Sequence, residues 1–306
     1  MRWYESFDQK MADYLPDLRV EKDVLLSRHC SFRIGGPARR MAFPETPEQM
    51  VLLQSLAAES GVKPLLIGNG TNILFPDTGL DRLVIQTGEL SKIELDEKTG
   101  VITAQAGVTL AKLASFACAN SMTGLEFAHG IPGSVGGAVC MNAGAYGGEM
   151  KDVLKGASVL FPDEGVRFLS CEELDLSYRH SVLTDHPDAI VLYAVFLLEK
   201  GDSAVIRAKM DELMAKRKAS QPLEFPSAGS TFKRPTGYFA GALIEQAGLK
   251  GFTVGDAQVS EKHAGFVINR GKATGADVRG LIQEVQKRVQ ANSGVVLEPE
   301  VKIIDA

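Results

Sequence analysis

The sequence GIPGSVGG at residues 130–137 restricts the fold more than any other stretch, because it combines four glycines with no charge in eight positions. A second glycine-rich stretch, GNGTN at residues 68–72, directly follows the apolar run PLLI at residues 64–67. Glycine has no Cβ atom, so the backbone N–H groups of such loops can surround an anion. Tight turns between short strands explain either loop alone equally well. Both loops together favour a bound dinucleotide.

The common nucleotide-binding motifs do not fit these loops. Gly68 and Gly70 lack the third glycine of the Rossmann fingerprint, because Ile73 takes its place. Residues 265–272 resemble a P-loop, but they place five residues between the glycines instead of four, and Ala273 replaces the serine or threonine that would hold magnesium. The sequence therefore predicts a dinucleotide that is held by another scaffold.

Apolar periodicity and capping residues predict a mixture of helices and strands. A helix is expected over residues 47–60 with Thr46 as its N-cap, and two later helices are expected to begin after Thr109 and Thr274. A final strand is expected over residues 295–304. Because the elements show no regular β-α-β alternation, the pattern predicts an α+β fold and not a doubly wound parallel sheet.

Composition and charge exclude several classes of protein. The 306 residues carry a formal net charge of −5, which argues against nucleic acid as a partner because phosphate binding needs a basic field. No apolar run is long enough to cross a bilayer, and no export signal is recognised, so we expect a cytoplasmic protein without a membrane partner. The four cysteines form no C-x-x-C pair, and no metal site is predicted.

Three polar residues are candidates for chemistry. Arg179 could grip a carboxylate with two hydrogen bonds, Ser230 could donate a proton to a carbon that is becoming a carbanion, and Glu300 could stabilise an enol-like carboxylate. Each has an ordinary alternative: a surface ion pair for Arg179, a turn serine for Ser230, and a solvent-facing strand position for Glu300. Taken singly, these alternatives are the better explanations.

The order of the motifs resembles the UDP-N-acetylenolpyruvoylglucosamine reductases of bacterial cell-wall synthesis. The matching stretches are SFRIGGPA at 31–38, GNGTN at 68–72, GIPGSVGGA at 130–138, NAGAYG at 142–147, YR at 178–179, AGS at 228–230 and LEPEV at 297–301. Each stretch is moderately specific, and the ordered set is highly specific. The compact segment between Arg179 and Ser230 is similar to the shorter subclass of the family, which lacks a substrate-covering loop.

The resemblance implies a fold and a reaction. It implies an FAD-binding domain of the vanillyl-alcohol-oxidase (PCMH) type in two subdomains, residues 1–88 and 89–221, followed by a C-terminal α+β substrate domain at residues 222–306. It implies noncovalent FAD, NADPH as the reductant, UDP-N-acetylglucosamine enolpyruvate as the substrate and UDP-N-acetylmuramate as the product. The product would serve peptidoglycan synthesis, and the enzyme would be a monomer.

The resemblance also implies roles for individual residues. Ser230 matches the proton donor, and Arg179 and Glu300 match the pair that polarises the enolpyruvyl carboxylate while reduced flavin delivers hydride to the terminal carbon. The implied cofactor-binding residues are Arg33, Gly68, Asn69, Gly70, Thr71, Asn72, Gly130, Ile131, Pro132, Gly133, Ser134, Gly136, Gly137, Asn142 and Ala145. The implied substrate-binding residues are Tyr178, Lys233, Arg234, Lys262, His263 and Lys302.

The sequence departs from the family pattern at three positions. Arg234 stands where some members have asparagine, Lys302 stands where arginine is common, and His129 precedes the second glycine loop where a small residue is expected. Two other hypotheses stay open: a different flavin enzyme on the same scaffold, such as an oxidase, and a flavin-binding module without catalysis. Neither requires Arg179, Ser230 and Glu300 together.

Overall fold

The computed structural model describes residues 2–306 and has the mixed α and β content that the sequence predicts. The α-helices are α1 (Trp3–Tyr14), α2 (Pro47–Glu59), α3 (Leu110–Ala119), α4 (Val135–Cys140), α5 (Ser203–Ser220), α6 (Ala240–Gln246) and α7 (Gly275–Ser293). The strands are β1 (Val20–Leu25), β2 (Pro37–Ala42), β3 (Leu65–Ile67), β4 (Ile73–Leu74), β5 (Leu80–Gln86), β6 (Ile93–Asp96), β7 (Val101–Gln105), β8 (Met122–Thr123), β9 (Gly144–Ala145), β10 (Gly148–Glu149), β11 (Leu154–Phe161), β12 (Gly165–Ser170), β13 (Ile190–Leu197), β14 (Glu199–Lys200), β15 (Ser227–Ser230), β16 (Thr253–Val254), β17 (Ala257–Val259), β18 (Phe266–Asn269) and β19 (Lys302–Ile303). Within residues 2–306, no helix is both long enough and apolar enough to span a membrane.

The three predicted helix caps are confirmed. The side chains of Thr46, Thr109 and Thr274 each accept a hydrogen bond from the backbone N–H three residues later, at 3.0–3.2 Å. Such bonds satisfy N–H groups that have no partner inside the helix. At the other end of α7, Gly294 takes a φ of 75°, a conformation that closes a helix at little cost only for glycine.

The chain forms two compact units, and each is assembled from separate segments. The first unit comprises the described residues up to 22, residues 40–69 and residues 82–215. The second unit comprises residues 23–39, 70–81 and 216–306. The predicted three-domain division, with boundaries at 88 and 221, stays a prediction.

The first unit is built around an antiparallel sheet of five strands, in the order β12-β11-β13-β7-β6. Helices α3 and α4 contribute buried apolar side chains to the core formed with this sheet. In the same unit, β3 pairs in parallel with residues 84–86 of β5. The parallel pair places the first glycine loop directly after the carboxyl end of β3.

The second unit contains a four-stranded sheet in the order β15-β18-β17-β16, with α7 packed against it. The apolar face that the sequence predicts for α7 is confirmed as buried. Its members are Val278, Leu281, Ile282, Val285 and Val289. A separate parallel pair joins β19 to β4, so the last strand of the chain lies beside the residues that follow the first glycine loop.

The predicted strand over residues 295–304 is wrong for most of its length, because only Lys302–Ile303 is a strand. Pro299 has no N–H to donate to a ladder, and the segment pairs with two different neighbours. Its first part makes an isolated bridge at Pro299 to Phe232, whereas its last part pairs with β4. The change of partner interrupts the regular strand.

Candidate active site

The two glycine loops contact each other within the first unit. Gly68 packs so closely on Ser134 that a Cβ atom at residue 68 would overlap the Ser134 hydroxyl. The Asn69 side-chain amide donates a hydrogen bond to the Pro132 carbonyl at 3.3 Å. A side chain at residue 68 would therefore displace the Ser134 hydroxyl, and the two predicted cofactor loops are in contact.

The N–H groups at the start of α4 are used inside the protein. Val135 N–H donates to the Val108 carbonyl at 2.8 Å, and Gly136 N–H donates to the Ala106 carbonyl at 2.8 Å. These bonds fix the end of the 130–137 loop against the core of the unit. Any contact from this loop to a cofactor has to come from its other groups.

The second half of the first loop lies in the second unit, where it packs on the residues before Arg33. Gly70 has a φ of 60°, and a Cβ atom there would overlap the His29 carbonyl. Its own carbonyl accepts a hydrogen bond from Ser31 N–H at 3.0 Å. Arg33 is exposed and has a φ of 56°. The loop and Arg33 therefore belong to one tightly packed piece.

Asn269 fixes the segment that carries Arg33. Its side-chain amide donates to the carbonyl of Phe32 at 3.1 Å, and the Phe32 ring is fully buried. Its side-chain oxygen accepts from the N–H groups of Gly271 and Ala273 at 2.8 and 3.0 Å. Through both ends of its amide, Asn269 therefore holds the segment that carries Arg33 to the C-terminal residues of the same unit.

Asn142, which follows α4, is hydrogen-bonded to the turn that carries Arg179. The Asn142 side chain donates to the Ser177 carbonyl at 3.1 Å and to a Glu149 carboxylate oxygen at 2.7 Å, and it accepts from Lys151 N–H at 3.0 Å. The residue is 1% exposed and has a φ of 41°. The structure thus gives Asn142, a predicted cofactor-binding residue, a supporting role for Arg179.

Arg179 lies at the tip of a tight turn. The backbones of residues 177 and 180 exchange hydrogen bonds of 3.1 and 3.2 Å across this turn, and Arg179 itself has a φ of 55°. Such a conformation costs about 1 kcal/mol or more for a residue with a side chain, and these positions concentrate at functional sites. Buried Ser181 fastens the turn by donating its hydroxyl to the Cys140 carbonyl at 2.6 Å.

In the second unit, Ser230 and Glu300 are brought together through Thr231. Glu300 N–H donates to the Thr231 carbonyl at 2.8 Å. Thr231 is buried, and its hydroxyl accepts from Val267 N–H at 3.0 Å. Ser230 is exposed beside it and pairs with Phe266 of β18. The predicted proton donor and the predicted carboxylate are therefore placed on adjacent, hydrogen-bonded backbone.

Asn72 holds Glu300 from the other side. The Asn72 side-chain amide donates to the Glu300 carbonyl at 3.1 Å, and the Asn72 carbonyl accepts from Lys302 N–H at 3.0 Å. Asn72 and Glu300, which the side-chain bond joins, are 228 positions apart in the chain. The second half of the first glycine loop is thus joined directly to the candidate catalytic residue.

Two of the predicted substrate-binding cations, Lys233 and Arg234, contact other side chains of the protein. Lys233 forms an ion pair with Glu298, and the Arg234 guanidinium lies 4.0 Å from the centroid of the Phe239 ring. Lys302 is exposed, as is Tyr178, whose ring lies 5.4 Å from the guanidinium carbon of Arg179. Their contact with a substrate stays a prediction.

Lys262 and His263 also have partners within the second unit. The Lys262 amine donates to the Lys218 carbonyl at 2.7 Å, and Gly265 N–H donates to Nδ1 of His263 at 3.1 Å. Burial lowers the pKa of the His263 imidazole below its usual 6.5. The neutral ring, with Nδ1 as an acceptor, supports the residues next to Thr231.

Sequence reasoning missed the supporting residues Thr231 and Ser181 and the reach of Asn72 to Glu300. None of them has a local signature, because their partners are distant in the chain.

His129 departs from the family pattern, and its Nδ1 is buried without a hydrogen-bond partner among residues 2–306. Within the same residues, no group of three or more histidine, cysteine or acidic side chains could hold a metal ion.

Comparison with known proteins shows the family. Residues 221–304 match the model of the UDP-N-acetylenolpyruvoylglucosamine reductase C-terminal domain, and residues 38–170 match the model of an FAD binding domain. A UDP-N-acetylenolpyruvoylglucosamine reductase of Agathobacter rectalis is 50% identical over 98% of both chains. The chain belongs to the UDP-N-acetylenolpyruvoylglucosamine reductase family.

Other members of the family agree over the same extent. The reductase of Clostridium novyi is 44% identical over 98% of this chain and 96% of its own. The crystal structure of the reductase from Thermus caldophilus superposes with a TM-score of 0.79 at 36% identity, covering 94% of this chain and all of that one. Family membership confirms the predicted α+β fold with its FAD-binding domain, FAD as the cofactor and the assignment to the oxidoreductases.

Proposed function

We propose that this protein reduces UDP-N-acetylglucosamine enolpyruvate to UDP-N-acetylmuramate, with NADPH as the electron donor and noncovalent FAD as the carrier. The observation that supports the proposal is the hydrogen bond between Glu300 N–H and the Thr231 carbonyl, which pairs the backbone of the candidate carboxylate residue with the residue next to the candidate proton donor Ser230. A flavin-binding module without catalysis would not need this arrangement. The product is a precursor of peptidoglycan, and we expect a cytoplasmic monomer.

The residues that would hold FAD are those of the two glycine loops, 68–72 and 130–137, together with Arg33. They fit the group because Gly70 allows backbone to pack where a side chain would intrude, because Gly68 lets the Ser134 hydroxyl approach closely, and because asparagine, threonine and serine add short donors. When bound, FAD would supply the hydride-transfer chemistry between NADPH and the terminal carbon of the enolpyruvyl group. The protein's own residues prepare the substrate for that transfer.

Each candidate catalytic residue has a separate task. The Arg179 guanidinium binds the enolpyruvyl carboxylate through two hydrogen bonds and fixes its plane. Glu300 stabilises the enol-like form of that carboxylate as negative charge builds on it. The Ser230 hydroxyl gives its proton to the carbon next to the one that receives hydride, which completes the saturated lactyl ether. A positioned proton donor contributes roughly 10²–10⁴-fold to such a step.

The proposal is tested with purified protein and the flavin absorbance spectrum, followed by NADPH oxidation with and without UDP-N-acetylglucosamine enolpyruvate. We expect a yellow protein whose NADPH consumption depends on the enolpyruvyl sugar and yields UDP-N-acetylmuramate. NADPH consumption that ignores the sugar and produces peroxide would instead identify an oxidase on the same scaffold. A yellow protein that oxidises no NADPH under either condition would be a binding module.

A further inference from the structure

Both backbone polar groups of Glu300 are hydrogen-bonded, one to a backbone group and the other to a side chain. Its N–H donates to the carbonyl of Thr231, the residue after the candidate proton donor. Its carbonyl accepts from the side chain of Asn72, the last residue of the first glycine loop. The backbone of one residue therefore connects the segment of the candidate proton donor to the loop that would hold the flavin.

The Asn72 side-chain bond is distinct from the strand pairing that follows it. The backbone of Asn72 accepts from Lys302 N–H at 3.0 Å, and the carbonyl of Leu74 accepts from Ile304 N–H at 3.0 Å. These bonds persist whatever side chain stands at residue 72. The hydrogen bond from the Asn72 amide to Glu300 depends on the side chain alone. It lies one residue before β4, where the parallel strand pairing begins.

The backbone on either side of a residue sets the direction of its Cα–Cβ bond, and so the region that its side chain can reach. Because the Asn72 amide fixes the peptide plane at Glu300, it restricts where the Glu300 side chain can point. The Nδ2 group of Asn72 donates to this carbonyl, so the side-chain amide of Asn72 faces the backbone of Glu300. Asn69, the other asparagine of the same loop, instead donates to Pro132 in the second loop.

We propose that Asn72 is a positioning residue that aims Glu300 from the flavin-binding loop through its side-chain amide. The inference rests on the proposed function of Glu300. It assigns different tasks to the two asparagines of one loop: Asn69 joins the two cofactor loops, whereas Asn72 joins the cofactor loop to the catalytic carboxylate. Reduction of the substrate then depends on Asn72 only as long as Glu300 is present.

The first test uses the FAD-free protein and hydrogen–deuterium exchange measured by mass spectrometry. In the Asn72→Ala variant, we expect the peptide covering residues 298–304 to exchange several-fold faster than in the unmodified protein, because the bond that restrains Glu300 is lost. The matched Asn69→Ala variant should leave that peptide unchanged and affect residues 130–137. Equal exchange of residues 298–304 in Asn72→Ala and the unmodified protein would overturn the inference.

The second test is a double-mutant cycle on reoxidation of the chemically reduced enzyme by the enolpyruvyl sugar, followed by flavin absorbance. With Glu300 present, Asn72→Ala should slow reoxidation about tenfold, and in the Glu300→Gln background it should slow the residual rate less than twofold. Equal slowing in both backgrounds means that Asn72 acts independently of Glu300, which contradicts the inference. Asn72→Asp, which keeps the shape but lacks the donor, should behave like Asn72→Ala and replaces it if that variant loses FAD.

The two proposals fail in different ways. If the unmodified enzyme does not reduce the enolpyruvyl sugar, the proposed function is wrong, although the exchange experiment still reports on the Asn72 contact. If the unmodified enzyme is active and the cycle is additive, only the positioning role of Asn72 is wrong.

Discussion

The turn that carries Arg179 and the backbone that carries Ser230 and Glu300 are held in place by different means. The Arg179 turn is closed by its own backbone bonds and anchored to the rest of its unit by side chains: Asn142 binds its first carbonyl, and Ser181 ties its end to the last residue of α4. Ser230 and Glu300 lie on backbone that is paired with neighbouring backbone, to which the Asn72 side chain adds one bond.

The difference predicts how each region responds to substitution. Where irregular backbone is fixed by buried polar side chains, removal of one side chain releases several bonds at once. Where backbone pairs with backbone, replacing a side chain leaves the frame intact and removes only the chemistry of that group.

Ser230→Ala should separate chemistry from structure in the paired region. We expect the reduced enzyme to be reoxidised by the enolpyruvyl sugar about 10²–10⁴-fold more slowly, whereas reduction of the flavin by NADPH and the unfolding midpoint stay near their original values. Stopped-flow absorbance measures each half-reaction separately. Ser227→Ala, in the same strand, is the matched control and should leave both rates unchanged. Normal reoxidation in Ser230→Ala would remove the proton-donor role.

Asn142→Ala should show the opposite behaviour in the Arg179 turn. The substitution removes three hydrogen bonds from a buried site, including one to a carboxylate, and we expect a loss of about 2–3 kcal/mol in the free energy of unfolding. Urea denaturation measures that loss. Asn120→Ala, which removes one bond to the Phe116 carbonyl at a helix end, is the control and should cost about 1 kcal/mol or less. Equal losses in both variants would contradict a special supporting role for Asn142.

Gly68→Ala tests the contact between the two glycine loops. The new methyl group overlaps the Ser134 hydroxyl, so we expect a destabilisation of about 1–2 kcal/mol. Adding Ser134→Ala removes the hydroxyl and leaves the Ser134 Cβ 3.5 Å from the new methyl, which is an ordinary contact. The double variant should therefore be more stable than Gly68→Ala. Thermal unfolding of the FAD-free protein measures this, and failure of the second substitution to recover stability would mean that the loops are not in contact.

The smallest effect concerns pH. Because burial lowers the pKa of His263 below 6.5, the unfolded chain takes up its proton at a higher pH than the folded protein does. The stability that neutral His263 contributes is therefore complete above pH 6.5 and is lost as the pH falls below that value. The hydrogen bond with Arg40 lowers the pKa of Asp8 below its usual 3.8. The stability that ionised Asp8 contributes is therefore lost only at a pH below 3.8.

We expect the free energy of unfolding to decrease more steeply between pH 7 and pH 5 in the unmodified protein than in His263→Asn. Urea titrations at closely spaced pH values measure both slopes. Identical slopes would show that His263 is protonated equally in the folded and unfolded states. Such a result would contradict its proposed role as a neutral acceptor for Gly265 N–H.

Local features of the fold were predictable from the sequence. The caps Thr46, Thr109 and Thr274 and the apolar face of α7 depend on neighbouring residues within one element, and the structure confirms them. The three catalytic candidates were found through motif order, not through their individual environments, and their roles stay predictions.

Long-range contacts were not predictable. The bond from Asn72 to Glu300 and the bond from Asn269 to Phe32 each join residues more than 200 positions apart, and nothing near either residue indicates its partner. The predicted strand at residues 295–304 failed for a related reason. Alternation of polar and apolar residues describes which face is buried, but it cannot show that the segment changes its pairing partner at Pro299.

The segmented second unit has a consequence for biosynthesis. Residues 23–39 leave the ribosome long before residues 216–306, to which they belong. At a translation rate of about 5–20 residues per second, the earlier segment waits roughly 10–35 s for its partners. During that interval Phe32 lacks the packing that buries it in the finished protein, and Asn269 has not been synthesised to bind its carbonyl. The nascent chain therefore exposes an apolar segment that a chaperone could bind until synthesis reaches the C-terminal sheet.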